Sequence, residues 1–349
     1  MTRRVTRMVP GLAAIVALAL AIGACGSNDD ANDGGSGGGS QTTVQIPARP
    51  EGDGVFHLGT QPWIGYGPFT IAQQKGIFDR EGLDVTITNF KEDKQINAAI
   101  ASRRLDGLNA GLIQALNFAQ AHLGTKVVLV EDVSTRADAI LAGPDVRSVA
   151  DLRGKKVAYE EGTTAEVLLR YALSENGMSI DDIVKVPIAA TEAGPAIIAG
   201  RVDAAYTYEP FVSSALESGK GIHAIFTAGE KPGLISDAFV VREDVIENTP
   251  GRVAAMIRSW QQALDYYHAN TREAQDLIAS DLGAEPGSLT SAFDGITFYD
   301  VTQNRDGFRS GELYDTLGVL AGIAREAGLL TDDIDVRDLI DTRFVDAAG

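Results

Sequence analysis

A tryptophan, three polar side chains and a series of carboxylates stand at the ends of short apolar runs along this chain, where binding chemistry can be done. The stretch QPWIGYGPF follows the alternating run VFHLGT and sets Gln61, Trp63 and Tyr66 among two prolines and two glycines. Large aromatic faces beside flexible residues suit a flat or cationic ligand, which such a face holds by roughly 0.5–2 kcal/mol. Lys91, Glu92 and Asp93 follow a second run, and Asn109 and Asp132 end a third and a fourth. In the second half Glu160, Thr163, Glu192, Tyr208 and Glu209 hold similar places. Each has a plainer reading as well. Trp63 could be a core aromatic of its loop, Thr163 forms a capping box with Glu166, and Glu192 and Glu209 could simply answer helix dipoles.

The sign of the charges narrows the ligand. EEGTTAE opens a helix whose N-terminus would suit an anion, but Glu160 and Glu161 stand directly before it. KEDK repeats the conflict with Glu92 and Asp93. Four carboxylates at two candidate anion sites favour a small nitrogen-bearing solute, cationic or neutral, over a sulfonate or nitrate. Lys91, Lys94 and Arg136 keep the anion open as the alternative. Catalysis finds little support: His57, His122, His223 and His268 are scattered, and Cys25 is the only cysteine. No His-x-x-x-His spacing, nucleophile–base arrangement or glycine-rich phosphate loop is present. Neither an enzyme, a metal nor a cofactor is expected.

The elements that must position these residues alternate between β-like and helical patterns, which predicts an α/β fold with a largely parallel sheet. VFHLGT precedes a helix near Gly67–Gly76 and then the strand LDVTIT; a helix from Asp93, the strand LDGLNA and a further helix lead to KVVLVEDV. ADAILAGPD crosses into a second unit of the same kind, in which SVADLRG carries a capping box from Ser148 to Asp151 and a stop at Gly154. KVAYE, IVKVPI and VDAAYTY are its strands, and SDAFVVRED returns to the first unit. Two crossings and an echo between AAIASRRLDGLNA and AIIAGRVDAAYTY predict one lobe, residues 138–237, inserted into another, residues 55–137 and 238–349. Ligands of open α/β sheets bind beyond the carboxyl ends of the strands, so the cleft between the lobes is where the residues above should meet.

Composition and termini add bounds. The 349 residues carry a formal charge of −18, which argues against nucleic acid. Arg3, Arg4 and Arg7 precede an apolar run, Leu12–Ala24, too short to span a bilayer, so residues 1–24 read as a secretory signal. Losing those three arginines takes −18 to −21. The junction AIGAC resembles the lipobox of bacterial lipoproteins, in which the cut falls before a cysteine that is then acylated; here that is Cys25. Residues 25–54, rich in Gly, Ser and Asp, read as a disordered tether.

GYGPFTIAQQKGIFDREGLDV, ADAILAGPDVRSVADLRGKKVAYEEGTT and IAGRVDAAYTYEPF together resemble the solute-binding proteins of ATP-binding-cassette (ABC) importers, in the nitrate, taurine and aliphatic-sulfonate group that also holds binders of the thiamine pyrimidine precursor. The resemblance runs from about Val55 to Leu282. It implies a two-lobed type II periplasmic-binding-protein fold that closes by a hinge. It further implies a monomer, lipid-anchored outside the cytoplasmic membrane, that delivers a small molecule to a permease and its ATPase. Within the resemblance a solute sensor for a membrane kinase stays open. Eukaryotic relatives that make the thiamine pyrimidine use a site histidine, iron and a cysteine-rich motif, and the sole cysteine puts that activity in doubt here.

Overall fold

A computed structural model describes residues 46–348; the signal segment, Cys25 and most of the tether lie outside the described residues. Among the described residues, eleven strands form two mixed sheets. In chain order they are β1 (Val55–Thr60), β2 (Asp84–Asn89), β3 (Gly107–Gly111), β4 (Thr125–Ser134), β5 (Asp138–Ala142), β6 (Lys156–Tyr159), β7 (Val184–Pro187), β8 (Ala204–Tyr208), β9 (His223–Thr227), β10 (Ser236–Arg242) and β11 (Ile296–Phe298). The first sheet has the order β11-β4-β10-β3-β1-β2 and the second β7-β6-β8-β5-β9, giving the two-lobed α/β architecture expected.

The sheets are less parallel than the sequence pattern suggests. β1 runs parallel to β2 and β3, and β6 parallel to β7 and β8. The two crossing strands break the rule, for β5 is antiparallel to β8 and β9, and β10 is antiparallel to β3 and β4. Each enters its sheet from the interlobe side, where the parallel strands leave. Both are apolar and buried along nearly their whole length, as strands covered on both faces must be.

Helices cover each sheet. On the first, Phe69 packs against Phe239 and Trp260, with ring centroids 5.4 and 5.2 Å apart. The helix Glu312–Glu326 packs on the helices Leu112–Gln120 and Thr164–Glu175, one from each lobe. The chain after Gly283 also joins the first sheet, as β11 pairs with β4.

The last residues of the expected tether are packed rather than disordered. Residues 46–54 lie on the body, where the Glu51 carboxylate accepts from the backbone N–H groups of Gly251 and Arg252 at 2.9 and 3.2 Å. Those groups open the helix Pro250–Ala269, and a carboxylate satisfies its orphan donors and its dipole together. The expected capping box of Ser148 and Asp151 is present around the turn Val149–Leu152. Thr163 caps its helix through Ala165 N–H at 3.1 Å, but Glu166 reaches Gly162 N–H and Arg170 instead of closing a box.

Candidate functional site

The ends of β1, β3, β5, β8 and β10 converge between the lobes on a small cavity of about 30 Å³, against the ~10–15 Å³ that one water needs on the same measure. Its walls hold Gln61, Trp63, Tyr66, Asp93 and Tyr208, all singled out from sequence. They also hold Gly111, Gln114, Asp138, Thr164, Ile235 and Asp237, which sequence reasoning passed over. No lysine or arginine lines it.

The turn Ile64–Tyr66 sets the aromatic wall. Trp63 meets Tyr208 of the other lobe edge to face at 5.7 Å. Its indole N–H donates to Asp132 Oδ2 at 3.2 Å, and the Tyr66 hydroxyl donates to Asp237 Oδ1 at 3.0 Å. Tyr206 donates to Asp138 Oδ1, and Gln114 to Asp93 Oδ1. Gly65 and Gly67 serve close approach here more than flexibility. A Cβ on Gly65 would lie 2.1 Å from Asp132 Oδ2 and from the Trp63 indole nitrogen, and one on Gly67 would lie 2.4 Å from Ile278 Cδ1.

Burial raises every carboxyl of this group. Desolvation, with the charge of Glu160 next, lifts Asp93 to about 8, while desolvation with Asp138 nearby lifts Asp237 to about 7. Asp138 rises to about 6 through desolvation, against its hydrogen bonds from Tyr206 and Ser134. Asp132 and Glu131 are pushed well above the carboxylate range by the same cause, as is the phenol of Tyr66 above its own.

Glu160 stands outside the cavity wall and joins the lobes. Its Oε1 accepts from Asp93 N–H at 3.0 Å and its Oε2 from Ala190 N–H at 3.2 Å. These are the first residues of the helices Asp93–Ala101 and Ala190–Ile198, and neither helix has a capping side chain of its own. One internal carboxylate therefore occupies a place that two helix N-termini would offer to an anion. Thr191 to Lys91 O at 3.2 Å and Asn117 to Gly162 O at 2.9 Å add further links across the cleft.

The remaining expected residues sit elsewhere. Asp132 and Asn109 are buried just behind the wall, Asn109 donating to Thr60 Oγ1 at 3.1 Å. Thr163 does not line the cavity because its hydroxyl is spent on the helix cap, and its neighbour Thr164 takes the wall. Glu92 is the N-cap residue of its helix and also lies off the wall. Glu192 is exposed in the first turn of its helix. Glu209 is buried, but it accepts from the Ser213 backbone and hydroxyl at 3.1 and 2.8 Å, inside its own lobe. The cations kept for an anion are at the surface: Lys91, Lys94 and Arg136 are exposed, Arg136 donating to Asp294 O at 3.1 Å.

Comparison with known proteins matches the chain to a family. A family model described as NMT1/THI5 like covers residues 63–274. A Brucella abortus protein (strain 2308) named as a binding protein is 27% identical over 249 residues, 70% of this chain and 77% of its own length. A Bacillus subtilis protein (strain 168) named for the binding of aliphatic sulfonates is 25% identical over 351 residues, 98% of this chain and 97% of that one. Among solved structures, the alkanesulfonate-binding protein of Xanthomonas axonopodis pv. citri bound to MOPS superposes with a TM-score of 0.71 at 21% identity, covering 86% of this chain and all of that one.

Proposed function

The chain belongs to the NMT1/THI5-like family, and from that premise we propose that it is the extracytoplasmic solute-binding component of an ABC importer, a binding protein rather than an enzyme. It works as a monomer, closes two lobes on a small nitrogen-bearing cation, and hands it to a permease and its ATPase. The lobes are residues 55–137 with 238–349, and 138–237, and they hinge where the chain crosses between them. Cys25 carries the lipid anchor.

One observation supports the cation above the rest: three aspartates and no basic side chain line the cavity. An anion there would find no cation to balance it in a poorly solvated space, and every aspartate that ionises would repel it strongly. The two helix N-termini that could have balanced it already hold Glu160. A second reading, an aliphatic sulfonate, draws on the names of the Bacillus and Xanthomonas proteins. It requires Glu160 to leave both helix ends.

Thermal melting of the purified protein with guanidinium and primary amines on one side, and ethanesulfonate on the other, separates the two. A ligand at a thousand times its Kd stabilises by about 4 kcal/mol, several degrees in Tm. A rise with the cations alone is expected; a rise with ethanesulfonate alone would establish the second reading. Palmitate incorporation that vanishes in Cys25→Ala is the expected result for the anchor.

A further inference from the structure

The hydrogen-bond ledger of the cleft says more about the ligand than its charge. Each aspartate of the wall accepts a side-chain hydrogen bond through Oδ1: Asp93 from Gln114, Asp138 from Tyr206 and Asp237 from Tyr66. Behind the wall, Asp132 is fixed through Oδ2 by Trp63, and its Oδ1 is buried without a partner. Asp138 is fixed through Oδ1 by Tyr206, and its Oδ2 is likewise buried without a partner. Asn109 repeats the pattern, its amide spent on Thr60 and its Oδ1 unpartnered. Asp132 and Asn109 are fully buried and Asp138 is 3% exposed.

Buried polar atoms of folded proteins are nearly always paired, and leaving one unmade is costly. Among the described residues the surplus is one-sided: five buried side-chain oxygens lack partners, counting both of Glu131, and no buried side-chain nitrogen does. Of the five, Asp138 Oδ2 belongs to the cavity wall, and those of Asn109, Glu131 and Asp132 lie behind it. The aromatic faces of Trp63, Tyr66 and Tyr208 would serve any cation, with or without N–H groups. The Oδ2 atoms of the wall aspartates Asp93, Asp138 and Asp237 would not, since a carboxylate oxygen is satisfied only by a donor.

We propose that the solute is a small cation bearing several N–H donors, of the guanidinium, amidinium or primary ammonium class, and not a quaternary ammonium or a neutral amide. This rests on the cation reading above and narrows it. The cavity volume of about 30 Å³ agrees with a ligand of few heavy atoms.

Calorimetric titration of the full protein with four probes tests it. Guanidinium carries charge and N–H donors; urea has a similar shape and N–H donors without the charge; tetramethylammonium has charge without donors; ethanesulfonate carries a sulfonate and no amine. Binding of guanidinium at least tenfold tighter than urea and tetramethylammonium is the expected result. Tetramethylammonium binding as well as guanidinium would overturn the donor requirement while leaving the cation reading intact. Ethanesulfonate binding with no response to either cation would overturn both, and urea matching guanidinium would overturn the need for charge. Asp138→Asn and Asp237→Asn should each weaken guanidinium at least tenfold without lowering the unliganded Tm. Unchanged affinity in both variants would remove these carboxylates from the site.

Discussion

Asp93, Asp138 and Asp237 line a poorly solvated cavity with the phenols of Tyr66 and Tyr208, and Asp132, Glu131, Glu160 and Tyr206 stand close behind or beside it, so its pH behaviour follows from burial. Their ordinary value is 3.8, and the folded protein raises them to about 8, 6 and 7 in the order named. With folded values above unfolded ones, the stabilisation from holding these protons is whole below 3.8 and is lost as pH rises through about 6 to 8. The unliganded Tm should therefore fall across that interval, while affinity for a cation climbs as the carboxylates ionise. Melting curves and titrations at a series of pH values check both trends, and a Tm that rises there would contradict the cavity's electrostatics. Glu131 shows the cost most simply, with both oxygens buried and without donors. Glu131→Gln should leave the stability at pH 8, read from melting curves, unchanged or raise it by roughly 1–3 kcal/mol, since no charge then has to be buried.

Among the elements, the turn after β1 shows how the backbone makes room for the site. Gly65→Ala has nowhere to place its methyl between Asp132 and Trp63, and overpacking of this kind costs about 1–3 kcal/mol. A lower Tm together with weakened solute binding is the expected outcome, measured by melting and titration. That aromatic wall was legible in QPWIGYGPF, because strand-end aromatics beside Gly and Pro are a local signal. Asp138 and Asp237 were not found, for a topological reason. Reading sites from strand ends assumes parallel strands, whereas β5 and β10 run antiparallel and so bring their opening residues to the same edge. The register pairs Asp138 with Tyr208, and Asp237 with both Gly111 and Asp132. The clue available in the sequence was a lone aspartate opening each of the apolar runs ADAILA and SDAFVV. Glu192 and Glu209 misled for the converse reason: a carboxylate in a helix's first turn has local work that a sequence cannot tell from ligand binding.

Across the whole molecule, the two-lobed fold was readable from the β–α alternation and the two crossings, while the role of the C-terminal part was not. β11 covers the edge of β4, and Ile340 bridges to Val127 on the same strand. Ending the chain at Gly283 should expose that edge and the core beneath it, so a fall in Tm well beyond 10 °C, roughly what a loss of several kcal/mol implies for a chain of this size, is expected in thermal melts. On the proposed cation reading, Glu160 acts as the protein's own competitor against anions. Because this carboxylate is tethered within the chain, its effective concentration at the two helix ends is at least about millimolar. A free anion must outcompete it, so even one that fitted the cleft would need to be abundant or very tightly held. Dissolved sulfate, phosphate and chloride would then be screened out by a competitor that never diffuses away.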